Sequence, residues 1–424
     1  MATSRRRLLA SAGALVAGVV APHVMAAPAR APGRAPAKAP AMRAVSAVAA
    51  RQPSTPVYGA LEGALEAAFA ATWEEDGRYF VGVLGAAHGE VTALRRQPVP
   101  TRAHGIAVEP QGTILLASRR PGDWLLRFDP RRGTVTDWDW SDGAFVYNGH
   151  VIASADGRRL FTTETSLETG QGSIGVRDAR TLALLARWPT RGIDPHEVVL
   201  GRDGGLWVAN GGIETRPATG RTKHHLERMD SSLVRLDAVD GRVIGQWRLE
   251  DRRLGLRHLA SVADGTIAIA LQAEHDDEAV RRLAPVLALW DRRRGLRPVA
   301  LPEGIDLSGY GGSVAALGGG IAVSCPRAGK VVRWDLAEGE PRWRAPVLLD
   351  EACPIAAGWL GGAGVVVHAD ADGSGAIEQL PLDESIRLDN HWALMNRARV
   401  PAPAAGSSRG SRDALKAVSS PESA

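Results

Sequence analysis

Cysteine is almost missing from this chain of 424 residues, with only Cys325 and Cys353 present. Two thiols cannot build a disulfide framework, and no C-x-x-C pair exists to suggest a zinc ribbon or a dithiol redox centre. Lysine is nearly as scarce: Lys38, Lys223, Lys330 and Lys416 are the only four among 51 basic residues. The arginine excess reads as coding bias, and no basic stripe interleaved with aromatics occurs, which excludes nucleic acid as the expected partner. Aromatics make up 5% of residues. The longest apolar stretch, Leu8 to Ala21, has fourteen positions, short of the roughly 18–20 needed to cross a bilayer. No H-E-x-x-H string and no nucleophile elbow is present. Helical periodicity is absent too, which removes helical solenoids.

What the ends contain is informative. "SRRRLL" at Ser4–Leu9, followed by the mild Gly/Ala-rich stretch and by Val24-Met25-Ala26, fits a twin-arginine signal peptide over residues 1–26. That route carries folded passengers, so a periplasmic location is expected, with no transmembrane segment in the mature chain. Residues 27–55 are Ala/Pro/Arg-rich, and residues 400–424 have a similar character, so both read as disordered segments. Residues 56–399 remain for the folded domain.

Within that domain three signals recur in a fixed order, and repeats of this length decide the architecture. A strand head comes first: "RAHGIAV", "NGHVIAS", "DPHEVVL" and "LRHLASV", matched by "GGSVAAL" and "ACPIAAG". A tight glycine turn and a short apolar strand follow, as in "RDGGLWVAN" and "ADGTIAIAL". A strand ending in aspartate closes each unit, at Asp129, Asp178, Asp237, Asp291 and Asp335, spaced by 49, 59, 54 and 44 residues. A four-strand antiparallel meander repeated at this interval is a propeller blade. Six copies are explicit and "TWEEDGRYFVGVLGAAHGEVTALRRQ" (72–97) supplies another. The chain is therefore expected to be all-β, a β-propeller of seven four-stranded blades.

In a propeller the strand heads and the loops joining second to third strands share one rim, the usual home of function. His104, His150, His196 and His258 stand at strand heads, and the mixed loops carry Arg119, Arg120, Glu164, Asn210, Glu214 and Arg327. Three readings of the histidine ring stand side by side. Each histidine caps strands within its own blade; or several converge on a transition metal such as iron or copper; or they donate to an organic or anionic ligand, with the arginines as paired donors. Cys325 and Cys353 fall on the same rim, as separate thiols or as a disulfide. "HADADGSG" (368–375) has the look of a calcium loop but lacks the EF-hand layout. His224-His225 belong to the longest loop.

The strings "HGIAV", "SRRPG", "NGHVIASADGRRLFTTE", "GIDPHEVVLGRDGGLWVANGGIETRP", "LRHLA", "ACPIAAG" and "LDNHW" resemble a family described as a domain of unknown function. Its members are twin-arginine-exported seven-bladed propellers, often encoded beside imelysin-type periplasmic proteins linked to iron uptake and beside haem-containing oxidoreductases. The resemblance spans roughly residues 72–395. It adds His391, with Asp389 and Asn390, to the rim candidates. "CPRAG" replaces a "SPRGG"-like string, and Leu388 stands where tryptophan is usual.

Two functions follow as expectations. One is a periplasmic binding protein or scaffold that takes a ligand, metal or protein partner at the rim, within an iron or metal acquisition system. The other is a metal-dependent periplasmic enzyme, an oxidoreductase or lactonase, with the metal held by funnel histidines.

Overall fold

The computed structural model describes residues 65–395 apart from 221, 318, 338–339, 357 and 369–377. The expected signal peptide over 1–26, the expected linker over 27–55 and the expected disordered tail from 400 lie outside the described residues, as does most of the calcium-like loop. The described chain forms seven antiparallel sheets of four strands each, the architecture that the repeats require. Strands are numbered β1 to β28 in chain order.

Six blades run outward in sequence order. Their innermost strands are β4 (Ala103–Val108), β8 (Phe145–Ala153), β12 (Pro195–Leu200), β16 (Leu254–Ser261), β20 (Ser313–Leu317) and β24 (Ile355–Ala356). The seventh blade is composite. Its three outer strands are the first in the chain, β1 to β3, from Leu65 to Val99, whereas its innermost strand is the last, β28 (Arg387–Met395). Neighbouring innermost strands touch in order from β28 through β4, β8, β12, β16, β20 and β24 back to β28, closing the ring. The segment at 72–97 supplies outer strands only, and its inner strand comes some 290 residues later.

Residue choice follows position in the blade. Second strands such as "ILLAS", "LWVAN" and "GIAVSC" are buried at every residue, because blades cover both of their faces. The outermost strand "TVTDWDW" alternates half-buried and exposed positions, and its threonines and aspartates discourage pairing with another sheet edge. Most of the core lies between blades. Trp73, Trp124, Trp207 and Trp334 are essentially fully buried, and truncating a residue of this kind costs about 3–5 kcal/mol. At the closure, Trp392 of β28 stacks on Phe69 of β1, ring centroids 4.4 Å apart.

The aspartate markers cap turns. The Asp129 carboxylate accepts from the amides of Arg131 and Arg132, Asp178 from Arg180 and Thr181, and Asp291 from Arg293 and Arg294, each an Asx turn that fixes a short return. No helix among the described residues is long and apolar enough to cross a membrane.

Candidate metal centre at the propeller axis

The five histidines come from five different blades: His104 on β4, His150 on β8, His196 on β12, His258 on β16 and His391 on β28. A regular strand would not aim all of them inward. Each sits where its strand slips register against the second strand of its blade. The slips fall between Ala103 and Ile106, Tyr147 and Val151, Pro195 and Glu197, Leu256 and Leu259, and Leu388 and Trp392. In every case the inner strand carries one or two residues more than its partner across the slip. A bulge of this kind bends the strand and re-aims a side chain, here toward the axis. Two glycines make room. Gly149 has φ +104°, and a Cβ on it would meet the His104 ring at 2.9 Å, while a Cβ on Gly105 would lie 2.3 Å from the Gly149 carbonyl. The remaining blades put Gly312 and Cys353 near the corresponding places.

The rings form one cluster. Centroid separations include 4.4 Å for His258–His391, 4.6 Å for His196–His258, 4.7 Å for His104–His391 and 4.9 Å for His104–His150. Three sets of donor atoms lie within 4.8 Å of one another: His104, His258 and His391; His104, His150 and His196; and His150, Glu197 and His258. His196 Nε2 and His258 Nε2 are 3.3 Å apart. Two nitrogens bound tetrahedrally at about 2.05 Å from one ion would be about 3.3 Å apart.

Carboxylates stand behind the imidazoles. Glu197 Oε2 is 3.2 Å from His258 Nδ1, and Glu197 Oε1 is 3.5 Å from His150 Nδ1; the same carboxylate accepts from the Leu259 amide at 2.7 Å. Asp389 Oδ1 lies 3.6 Å from His104 Nδ1, an electrostatic contact longer than a hydrogen bond. An acceptor behind Nδ1 favours the Nδ1–H tautomer and turns the Nε2 lone pair toward the other rings, the way metal-binding imidazoles are commonly oriented. With His258 in that tautomer, the short Nε2 contact needs a proton or a cation between the nitrogens, since two lone pairs would repel.

Burial keeps the cluster neutral. It pushes His104, His150, His196 and His391 well below the ordinary imidazole value and brings His258 to about 3, reinforced by Arg257, Arg119 and Arg120. Burial also raises Glu197, against the opposing pull of His150 and the Leu259 amide. For Asp389 burial acts upward as well, but His104, Arg119 and Arg102 overrule it and hold the carboxyl well below its usual range. His150 Nε2, His391 Nε2, His104 Nδ1 and His196 Nδ1 are buried without a hydrogen-bond partner. Such atoms cost roughly 1–3 kcal/mol each, a cost that a coordinated cation would relieve at His150 Nε2 and His391 Nε2.

The polar rim residues divide into two groups. Arg119 and Arg120 join the cluster: both line a small pocket against His104, His196 and His258, together with Arg257, Gln272, Tyr310 and Asn390. Arg327 is exposed and stacks over the Tyr310 ring at 4.2 Å, at the margin of that pocket. Glu164 stands apart, buried between Arg177 and Arg187 at 2.8 Å from each. Asn210 is wholly buried and donates to the Thr190 carbonyl and the Ser232 hydroxyl. Glu214 pairs with Arg216 in the outer loop, where His224 and His225 also lie among polar loop partners. Cys325 and Cys353 are buried free thiols, each pushed up to about 12 by burial.

Glu197, Asp194 and Arg257 are the residues that periodicity conceals. Glu197 directly follows His196, so strict alternation would put it on the other face. Only the slip at Pro195/Glu197 lets neighbouring residues both serve the axis.

Fold and centre together define a class: a seven-bladed propeller with a polyhistidine cluster, backed by carboxylates, at its axis. The chain belongs to the family described as "Protein of unknown function (DUF1513)", whose model matches residues 97–395. Among curated proteins none matches the sequence. The structure is similar to the periplasmic gluconolactonase of Pseudomonas aeruginosa, with 18% identity, a TM-score of 0.50, and coverage of 76% of this chain and 98% of that one. It is also similar to a 6-phosphogluconolactonase-like protein of Bacteroides fragilis, with 14% identity, a TM-score of 0.52, and coverage of 81% and 99%. At such identities the likeness concerns the fold.

Proposed function

We propose that this is an exported, periplasmic metalloprotein that holds a transition-metal ion, iron or copper, in the axial histidine cluster. The observation that carries this reading is the convergence of five neutral imidazoles from five blades, with Glu197 and Asp389 behind them. Neutral imidazole suits iron, copper and zinc, and geometry and availability choose among them. Donors supplied by rigid strands suit a resident ion better than transported cargo. The pocket contiguous with the cluster favours a metal-dependent enzyme over a pure scaffold, because a scaffold has no use for a small cavity opening onto buried imidazoles. The twin-arginine leader suits a passenger that is folded and loaded before export.

The test is elemental analysis of protein exported with its own leader and purified without added metal, followed by reconstitution of the stripped form. Near-stoichiometric iron or copper, lost in His196→Ala while the circular dichroism is retained, is expected. A stripped protein that takes up none of iron, copper, zinc or cobalt would overturn the proposal.

A further inference from the structure

The pocket over the histidine cluster has a composition that a metal site does not require. Its wall contains Arg119, Arg120 and Arg257 and no carboxylate. The carboxylates lie behind it and are shared. Asp194 pairs with both Arg120 and Arg257, and Asp389 with both Arg102 and Arg119. Three largely buried guanidiniums therefore share two carboxylates, one of which also pairs with the half-exposed Arg102. These groups are not solvated surface arginines: Arg257 is 4% exposed and Arg120 is 7% exposed. Arg119 Nη1 is buried with no hydrogen-bond partner and lies 3.6 Å from Asp389. Arg257 is oriented by Gln272 Oε1 at 3.1 Å on one side and Asp194 at 2.9 Å on the other.

A buried cation is costly unless it is paired and hydrogen-bonded, and two carboxylates are shared among these arginines. A metal ion set beside three of them sharpens the need, since each like charge disfavours the others. An anion in the pocket satisfies both. The guanidinium fork matches a planar carboxylate in bidentate geometry, and the enclosed space of about 20 Å³ has room for little more than a carboxylate head, with the rest of a small molecule in the open mouth. Histidines form part of the same wall, so a carboxylate held by the arginines lies against the cluster.

We propose that Arg119, Arg120 and Arg257 form a binding site for a small carboxylate, which the protein holds against the axial histidine cluster as substrate or co-ligand. This rests on the metal reading and assigns the ligand class of that same site. It distinguishes this pocket from one built for a neutral sugar lactone, which would bring no charge to offset the arginines.

The experiment uses stripped full-length protein reconstituted with Co(II), whose visible bands report the coordination shell. Acetate and, separately, inorganic phosphate are titrated in at constant ionic strength, with chloride as the control. Saturable band changes with acetate are expected, weakened about tenfold or more in Arg257→Gln, as befits loss of a charge-assisted hydrogen bond, with Co(II) still bound. Arg119→Gln provides the same comparison should the Arg257 variant fold poorly. Cobalt bands that ignore acetate overturn this inference and leave the metal reading intact. A response to phosphate alone also overturns the carboxylate assignment. Failure to bind Co(II), with iron, copper and zinc refused as well, sinks the metal reading itself.

Discussion

Acidifying the metal-free protein is predicted to unfold it well above the pH at which carboxylates titrate. The five axial histidines are buried, and burial, reinforced by neighbouring histidines except at His258 and by arginines except at His150, holds each below the ordinary value of 6.5, His258 at about 3. Below pH 6.5 the unfolded chain takes up protons that the native cluster refuses, so stability falls with pH. At pH 5 each histidine that stays neutral costs about 2 kcal/mol, and five cost about 10 kcal/mol. If one proton does enter, beside Asp389 for instance, about 8 kcal/mol remains, within the whole stability of a typical domain at about 5–15 kcal/mol. Two other groups enter the sum. Glu197 is raised, so the native state takes its proton first and acidification favours folding through that group, which offsets part of the loss. Asp389 is depressed; its contribution is present above the unfolded carboxyl value, unchanged at pH 5, and disappears only as pH falls through its lowered native value. The assay is urea unfolding followed by fluorescence of the twelve tryptophans at pH 7, 6 and 5 in the presence of a chelator. A midpoint that falls steeply below pH 6.5, and less steeply in His150→Gln, is expected. A midpoint that is flat between pH 7 and 5 would refute the account of a dry, neutral cluster.

Three further predictions follow from named contacts. Glu197→Gln removes the carboxylate behind His150 and His258 and should lower metal affinity about 10- to 100-fold, as read by chelator competition, with little change in helix-poor circular dichroism. Glu164→Gln strips Arg177 and Arg187 of a shared buried partner and should destabilise by about 3–5 kcal/mol while leaving cobalt affinity unchanged. This separates a structural ion-pair network from the axial site. Trp392→Ala opens the closure between β28 and β1 and should cost about 3–5 kcal/mol in urea unfolding, because it loosens the one blade built from both ends of the domain.

The blades were legible because their signals are local. An Asp-x-x-x-Gly turn or a glycine hairpin acts within a few residues, and a strand covered on both faces reads as an unbroken apolar run. The composite blade was only half legible, since nothing near residues 72–97 reveals that their inner partner lies at Arg387–Met395. Cys325 and Cys353 illustrate the same limit: both were placed near one rim, yet whether they bridge depends on distances that no spacing encodes, and they are free thiols.

Sequence by itself determined the repeat, the antiparallel meander and the presence of a histidine at the head of each of four inner strands, because hydrophobic period and turn chemistry act over short range. Tertiary structure decided the ring closure, the register slips that swing five imidazoles to one axis, the carboxylates that back them and the arginine wall beside them. Those features depend on which residue of one strand faces which residue of another. A shift of a single position in that pairing exchanges inside for outside.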